Sequence, residues 1–485
     1  MKKNKTKLKI ESMFNKNADI ACRKMSVANR NIYLFYIDCM VNKELFTSGI
    51  LAVVSKMKAS KENQDLISVL KNEIIAIASV KEVEDKVCVQ EEIFNGSVLL
   101  AVEGEDRFLA IGITEFQTRA ISEPPSASVV RGPREGFIED IETNLSMLRK
   151  RLKTPSLAVK RLKVGQRTST KLAILYLEGI INPKIVKEVE KKISSIEIDG
   201  VIDSYYIEEL LTCEKETFFK KVGDSEKPDV ICSKILEGRL AIVVDGSPIV
   251  LTVPYILFED MQSPGDYYGI AAKTSVVRMI RLIGLLLAIL LPGLYVALQS
   301  YHYRILPINF LITLLSSIEG ISFPPVIEIL FVLFLFDILN EASVRMPKQL
   351  GMALSIIGAL ILGDTAVQAG LITPPSIVVV AISGITLYII PNQVNEASIL
   401  RSLFTTIGGF SGFYGIFVCF IALVGYLVSI ENYGTAYMSP YAPSISLDKK
   451  DGFIKQPLNK MVYRPKSFSV LDQRKLKMAK GGRKW

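Results

Sequence analysis

The period of apolar positions changes several times along the chain. Residues 32–38 (IYLFYID) form a strand-like run, and 43–54 continue with helical spacing. Residues 172–178 (LAILYLE) repeat the run. A helix then starts with Asn182 as N-cap and Pro183 in its first turn, with Ile185, Val186, Val189 and Ile193 on one face. Further on, 93–104 (IFNGSVLLAVEG) aligns with 235–246 (ILEGRLAIVVDG), with four of twelve positions identical. Both read as hairpins that turn at an acidic residue and a glycine. The offset is 140 to 142 residues in each case. These patterns predict two related α/β subdomains, each built on a small mixed sheet.

Between the repeats, Pro124, Pro125, Gly132, Pro133 and Gly136 keep the chain extended. A helix follows, with Ile141, Leu145, Leu148 and Leu152 as its apolar stripe. Its acids come first (Glu139, Asp140, Glu142) and its bases last (Arg149, Lys150, Arg151, Lys153), which complements the helix dipole. Arg131, Arg134 and Glu135 sit on the loop before it. Charges of both signs on a rigid loop suit pairing across a subunit boundary, and an intradomain ion pair is the plainer alternative.

From 279 to 430 the pattern changes again: 152 residues carry 11 charges. Apolar stretches run over 279–299, 305–317, 323–339, 350–372, 376–390 and 403–430. A membrane span needs about 20 residues, so 279–299 and 403–430 are long enough and 305–317 is not. Lys273, Arg278 and Arg281 flank the first span and place its start in the cytoplasm. Crossing at 323–339, 350–372, 376–390 and 403–430 in turn would leave the basic tail outside. Either 305–317 crosses, 403–430 forms a hairpin, or one stretch does not cross. A cytoplasmic tail and an even count fit the charge rule best.

Of the six acids in this block, Glu319, Glu328, Asp337 and Asp364 stand out. A charged group facing lipid at mid-bilayer costs at least about 2.5–3.5 kcal/mol, so these four are the candidates for an ion pathway. Glu328 and Asp337 are nine residues apart and point to opposite faces of an ideal helix. The plainer alternative is pairing with Arg304, Arg345 or Lys348.

Composition narrows the chemistry. The net charge of +9 comes partly from the tail, where 448–485 hold twelve Lys/Arg and three Asp. That tail reads as solvated, or as a contact to anionic lipid. Six scattered cysteines form no C-x-x-C, and the single histidine, His302, lies between two tyrosines. No nucleotide-binding loop, nucleophile elbow or nucleic-acid module appears. An enzyme, a metal, a cofactor and nucleic acid are therefore not expected. No apolar segment follows the basic start, so no secretory signal is expected.

Several longer motifs carry a family resemblance. They are VRGPREGF at 130–137 with Asn144 and the LRKRL run at 148–152, SPGDYY at 263–268, and RLIGLLLAILLPGLYVALQSYH from Arg281. EGISFPP from Glu319 and GALILGDTAVQAG from Gly358 complete the set. The chain resembles the GerA family of spore germination proteins, A-subunit type, from about residue 30 to about 445. The resemblance implies an integral subunit of a receptor in the inner membrane of a bacterial endospore. Such receptors combine A-, B- and C-type subunits, respond to small nutrients and release ions. The A subunit would be an oligomeric ligand-gated channel. A glutamine is frequent in the family at the place of Asp364, which argues against a strict need for a carboxylate there.

The expected architecture is an α/β N-terminal region of two related subdomains, an α-helical polytopic membrane domain and a short basic tail. Its boundaries are 1–30 arm, 31–121 first subdomain, 122–157 loop and connector helix, 158–270 second subdomain, 271–435 membrane domain and 436–485 tail. A secondary transporter and a non-conducting scaffold are the competing functions.

Overall fold

The computed structural model describes residues 19–27, 30–56, 66–77, 79–115, 132–212, 217–319, 321, 323–345, 363 and 365–475. The chain folds as two compact units. One comprises Met1–Tyr255, Asn432–Thr435 and Met461–Trp485; the other comprises Ile256–Glu431 and Ala436–Lys460.

The first unit contains two five-stranded sheets of one topology. Strands β1 (Ile20–Val27), β2 (Arg30–Ile37), β3 (Val80–Val83), β4 (Val98–Val102) and β5 (Phe108–Ile111) lie in the order β1-β2-β4-β5-β3. Strands β6 (Leu157–Val164), β7 (Thr170–Leu177), β8 (Gly223–Ser225), β9 (Leu240–Val244) and β10 (Val250–Val253) lie in the order β6-β7-β9-β10-β8. The register repeats as well. Ile32 faces Val102 in the first sheet and Leu172 faces Val244 in the second, at the offsets read from the sequence. Gly104 and Gly246 hold φ of 92° and 89° at the two hairpin turns, a conformation that glycine adopts without strain.

The sheets are not mixed as expected. All their pairings are antiparallel. A helix joins β3 to β4, a connection that usually makes parallel neighbours, but β5 inserts between them and runs against both. The first sheet also begins earlier than expected. Ile20–Val27, inside the assigned N-terminal arm, is an edge strand with a largely exposed face.

The helices of this unit follow the repeat. The first, α1, runs as Lys43–Leu45, a π-helical Phe46–Leu51 and Ala52–Ser55. Next come α2 (Lys86–Phe94), α3 (Ile141–Arg151), α4 (Pro183–Ser194) and α5 (Pro228–Leu236). Asn42 and Asn182, 140 residues apart, cap α1 and α4 through their side chains. The connector helix α3 lies in the core between the two sheets. Its Ile141, Leu145 and Leu148 share one apolar cluster with Tyr33, Leu99, Ala173 and Val243. Its basic end is also drawn in: Arg149 is 1% exposed and pairs with Asp19 at 3.0 Å.

The second unit is helical: α6 (Ala271–Ser300), α7 (Ile308–Ile318), α8 (Pro325–Arg345), α9 (Pro374–Leu387) and α10 (Val394–Ser429). Two helices, Ala271–Ser300 and Pro391–Ser429, are long and apolar enough to cross a membrane. Gly293 and Gly408 bring α6 and α10 into backbone contact. A Cβ on Gly408 would stand 2.5 Å from the Gly293 carbonyl oxygen.

The backbone of α10 reverses at Gly412 (φ 58°, ψ −151°). The Ile416 side chain returns to within 3.1 Å of a Cβ placed on Gly408, whereas eight residues of unbroken helix would separate them by about 12 Å. The Tyr301 hydroxyl donates to the Gly409 and Phe410 carbonyls beside the break, at 3.0 and 3.1 Å. His302 stacks on Phe413 with centroids 4.5 Å apart. Of the alternatives for 403–430, the helical hairpin is therefore the one adopted.

The described part of the tail, up to residue 475, is folded rather than simply solvated. Lys455 is buried in the second unit; Phe468 and Val470 are buried in the first, where Phe468 lies under the Arg239 guanidinium at 4.1 Å. The cations mask these few apolar anchors in the sequence pattern.

Candidate functional site

Of the polar clusters that interrupt the apolar helical unit among the described residues, one lies at the start of α6 and one between α6, α8 and α9. The first is built on the SPGDYY motif. Ser263 and Asp266 close a turn of 3-10 helix, with the Ser263 amide donating to the Asp266 carboxylate at 3.2 Å. Asp266 then accepts from Arg278 Nε at 3.1 Å and from Arg281 Nη1 and Nη2 at 2.7 and 3.0 Å. Burial works to raise the Asp266 pKa, but the bonds from Arg281, the Ser263 amide and Arg278 outweigh it and hold the carboxyl below its ordinary value. Arg278 is fully buried. Its Nη1 donates to the Asp451 side chain at 2.9 Å and to the Asp451 and Gly452 carbonyls at 2.8 and 2.7 Å. Tyr267 donates to Asp451 at 2.8 Å, and Lys455 donates to the Asp266 carbonyl at 2.6 Å. The motif thus ties the first long helix to a segment some 170 residues later in the chain.

The second site centres on Glu328, which is 2% exposed in the first turn of α8. Its Oε1 accepts from the Thr373 amide at 2.6 Å and the Thr373 hydroxyl at 2.8 Å. Thr373 is the N-cap of α9, and its hydroxyl also meets Ser376 Oγ at 2.7 Å. The carboxylate therefore sits at a helix N-terminus, where the dipole favours negative charge. Tyr295, on the facing side of α6, is nine-tenths buried in the cluster that holds Ile329 and Ile372.

The other acids part company. Asp337 accepts from Arg401, which is fully buried, and from Ser398 Oγ at 3.1 Å. The nine-residue spacing thus sends Glu328 to α9 and Asp337 to α10. Arg304 and Arg345 do not supply the partner of Asp337 among the described residues, Arg345 pairing with Glu341 at 2.6 Å; Lys348 lies outside the described residues. Glu319 is exposed just past the end of α7. Asp364 lies outside the described residues.

In the first unit, Arg131 also lies outside the described residues and Arg134 is exposed. Glu135 is bound within its own unit by Arg151 and, at 3.9 Å, by Lys150. An open cleft of about 560 Å³ lies beside the Asp245–Gly246 turn. Two of its carboxylates already have structural tasks: Asp140 caps α3, and Asp245 accepts from the Ile141 amide at 3.3 Å.

Sequence reasoning singled out Glu328 but not its neighbours. The Thr-Pro-Pro at 373–375 is a helix-start signal and makes Thr373 findable. Tyr295, Arg401 and Asp451 carry no comparable local signal.

The profile described as Bacillus/Clostridium GerA spore germination protein matches residues 8–467. Spore germination protein KA of Bacillus subtilis is 32% identical over 462 residues, covering 94% of this chain and 85% of its own. Spore germination protein GerQA of Bacillus cereus is 30% identical over 465 residues, covering 95% and 92%. Spore germination protein A1 of B. subtilis is 29% identical over 445 residues, covering 91% of each chain. The solved N-terminal domain of the A subunit of the Bacillus megaterium spore germinant receptor GerK3 is 27% identical. It covers 53% of this chain and 96% of its own, with a TM-score of 0.41. With a profile match across nearly its whole length and relatives aligned end to end, the chain belongs to the GerA family of spore germination proteins.

Proposed function

We propose that the protein is a membrane-embedded subunit of a nutrient-sensing germinant receptor in the spore inner membrane. In this reading it assembles with B- and C-type subunits and with copies of itself into a ligand-gated ion channel. Small nutrients act on it directly or through a partner subunit. Family membership supports the germination role. The ion pathway rests on one observation: Glu328 is a carboxylate buried among apolar helices, and intramembrane acids generally mark ion or substrate paths. In an oligomer, one such acid per subunit becomes a ring. Asp364, Asp337 and Glu319 stay on the proposed pathway behind it, since Asp337 is engaged by Arg401.

The hairpin in α10 supports a multi-span arrangement with both ends of the helical unit on one side. Its second arm returns to Ile430, whose carbonyl accepts from the Tyr437 amide, and the 451–455 segment packs at the start of α6. With the basic start of α6 in the cytoplasm, the N-terminal region is cytoplasmic as well. Arg131 and Arg134 remain proposed contacts to partner subunits, with Glu135 held by α3 to shape their loop.

The test is reconstitution of the assembled receptor with Glu328→Gln and Asp364→Asn. Gated currents above any carrier turnover, altered in conductance or selectivity by either substitution, are expected. Unchanged conductance, selectivity and germination rate in both variants removes these acids from the pathway. Absence of current altogether favours a scaffold.

A further inference from the structure

We propose that the polar site between α6, α8 and the N-terminus of α9 binds an alkali-metal cation, Na⁺ or K⁺, through oxygens of Glu328, Ser376, Tyr295 and Gln299. This deepens the ion-pathway reading by naming the ligand class of the Glu328 site.

Three observations carry it. Among the described residues, the partners of Glu328 are the Thr373 amide and hydroxyl, both on Oε1. No cationic side chain of those residues neutralises it, and the α9 dipole supplies only about half a positive charge. Secondly, the Tyr295 hydroxyl faces Ser376 and Thr373 but makes no well-formed hydrogen bond among the described residues. Thirdly, Gln299 lies one turn further along the same face of α6, and both atoms of its amide are buried without partners there. Buried polar atoms are nearly always paired, so an unsatisfied phenol near a carboxylate with no cationic partner among the described residues, and an unsatisfied amide one turn further along the same helix face, indicate an occupant.

Water would satisfy the phenol and the amide but leave the charge. A divalent ion asks for several carboxylates, and among the described residues there is one here. A monovalent cation balances it. The hydroxyl of Thr373 is used by Glu328 and Ser376, which leaves Glu328 Oε2, Ser376 Oγ, Tyr295 Oη and the Gln299 carbonyl as the ligand oxygens.

The experiment is thermal unfolding of the full chain in detergent, titrated with NaCl, KCl and choline chloride at fixed ionic strength and at several pH values. A saturable rise in midpoint with an alkali cation, absent with choline, is expected. Tyr295→Phe should raise the half-saturating concentration about five- to tenfold, the loss of one polar contact, and Glu328→Gln should abolish the response. Equal midpoints in alkali and choline salts overturn the proposal. So does a midpoint that follows pH but not the cation, which marks a proton site, or a response that survives both substitutions. If Glu328→Gln fails to fold, Tyr295→Phe decides alone. The readout needs no current. A cation response in a protein that never conducts sinks the pore reading and keeps the site; conduction without a cation response does the reverse.

Discussion

Replacing Arg278 by Gln should release the segment around Asp451 from the start of α6. Arg278 is fully buried and its Nη1 makes three contacts to Asp451 and Gly452, at 2.7 to 2.9 Å. Breaking a buried ion pair on one side costs about 3–5 kcal/mol. The Asp451 side chain is 26% exposed and Tyr267 still holds it, so water and the phenol recover part of this. About 2–3 kcal/mol is the appropriate estimate, or roughly a 30- to 150-fold rise in the open population. Lys449, Lys450 and Lys455 provide trypsin sites around the segment. Trypsin cleavage there, followed by mass spectrometry on the full chain in detergent, reads that population directly when reclosure is fast. Arg278→Lys keeps the charge but not the fork, and should fall between. Cleavage rates within about threefold of the parent would refute the assignment of this cluster as a clasp. The contribution of Asp266 has a defined pH sign. Its folded pKa is depressed, so its stabilisation is complete above the ordinary Asp value of about 3.9 and is lost as pH falls through the lower folded value. The clasp should accordingly show no Asp266-dependent loosening at neutral pH.

Gly408→Ala must force α10 away from the Gly293 carbonyl and should destabilise by about 1–3 kcal/mol. Gly425→Ala, with open space at its Cβ, should be neutral or stabilising by up to about 1 kcal/mol; thermal unfolding in detergent compares the two. Gly412→Ala places a side chain at φ 58°, ψ −151° and against His302, with a cost of about 1–3 kcal/mol. It should loosen the hairpin and raise labelling of a cysteine substituted for Tyr414. A cysteine substituted for Lys460 should be protected from impermeant reagents added outside intact cells, and external labelling would overturn the one-sided arrangement.

The repeat was legible because both copies keep apolar runs at the same spacing, and Ile32–Val102 and Leu172–Val244 turn that spacing into one register. Strand direction was not legible, since it depends on β5 entering between β3 and β4, a pairing with no local signal. The edge strand β1 escaped for another reason: with one face exposed and Arg23 and Lys24 at its centre, it lacks the apolar alternation of the inner strands. The stripe on α3 was readable, but its burial between two sheets was not, because periodicity reports a face and not what covers it. At the candidate site, Glu328 stood out by the cost of burying a charge. Tyr295 and Gln299 are unremarkable in a span that tolerates such residues on any inward face.

The buried charges of the helical unit separate by how they are balanced. Among the described residues of α6 to α10, three charged side chains are buried: Arg278, Glu328 and Arg401. Arg278 meets Asp266 and Asp451, and Arg401 meets Asp337. The Arg278–Asp451 and Arg401–Asp337 pairs join segments distant in the chain, and an ion pair in a low-dielectric setting specifies which segments meet more than it stabilises them. Glu328 is different. Its donors among the described residues are neutral, so there its charge is compensated only by a helix end and by whatever enters beside it. A position concerned only with packing could be an apolar residue at lower cost. A carboxylate held there by two aligned donors is suited to bind and release a cation, which a side chain locked to an arginine is not.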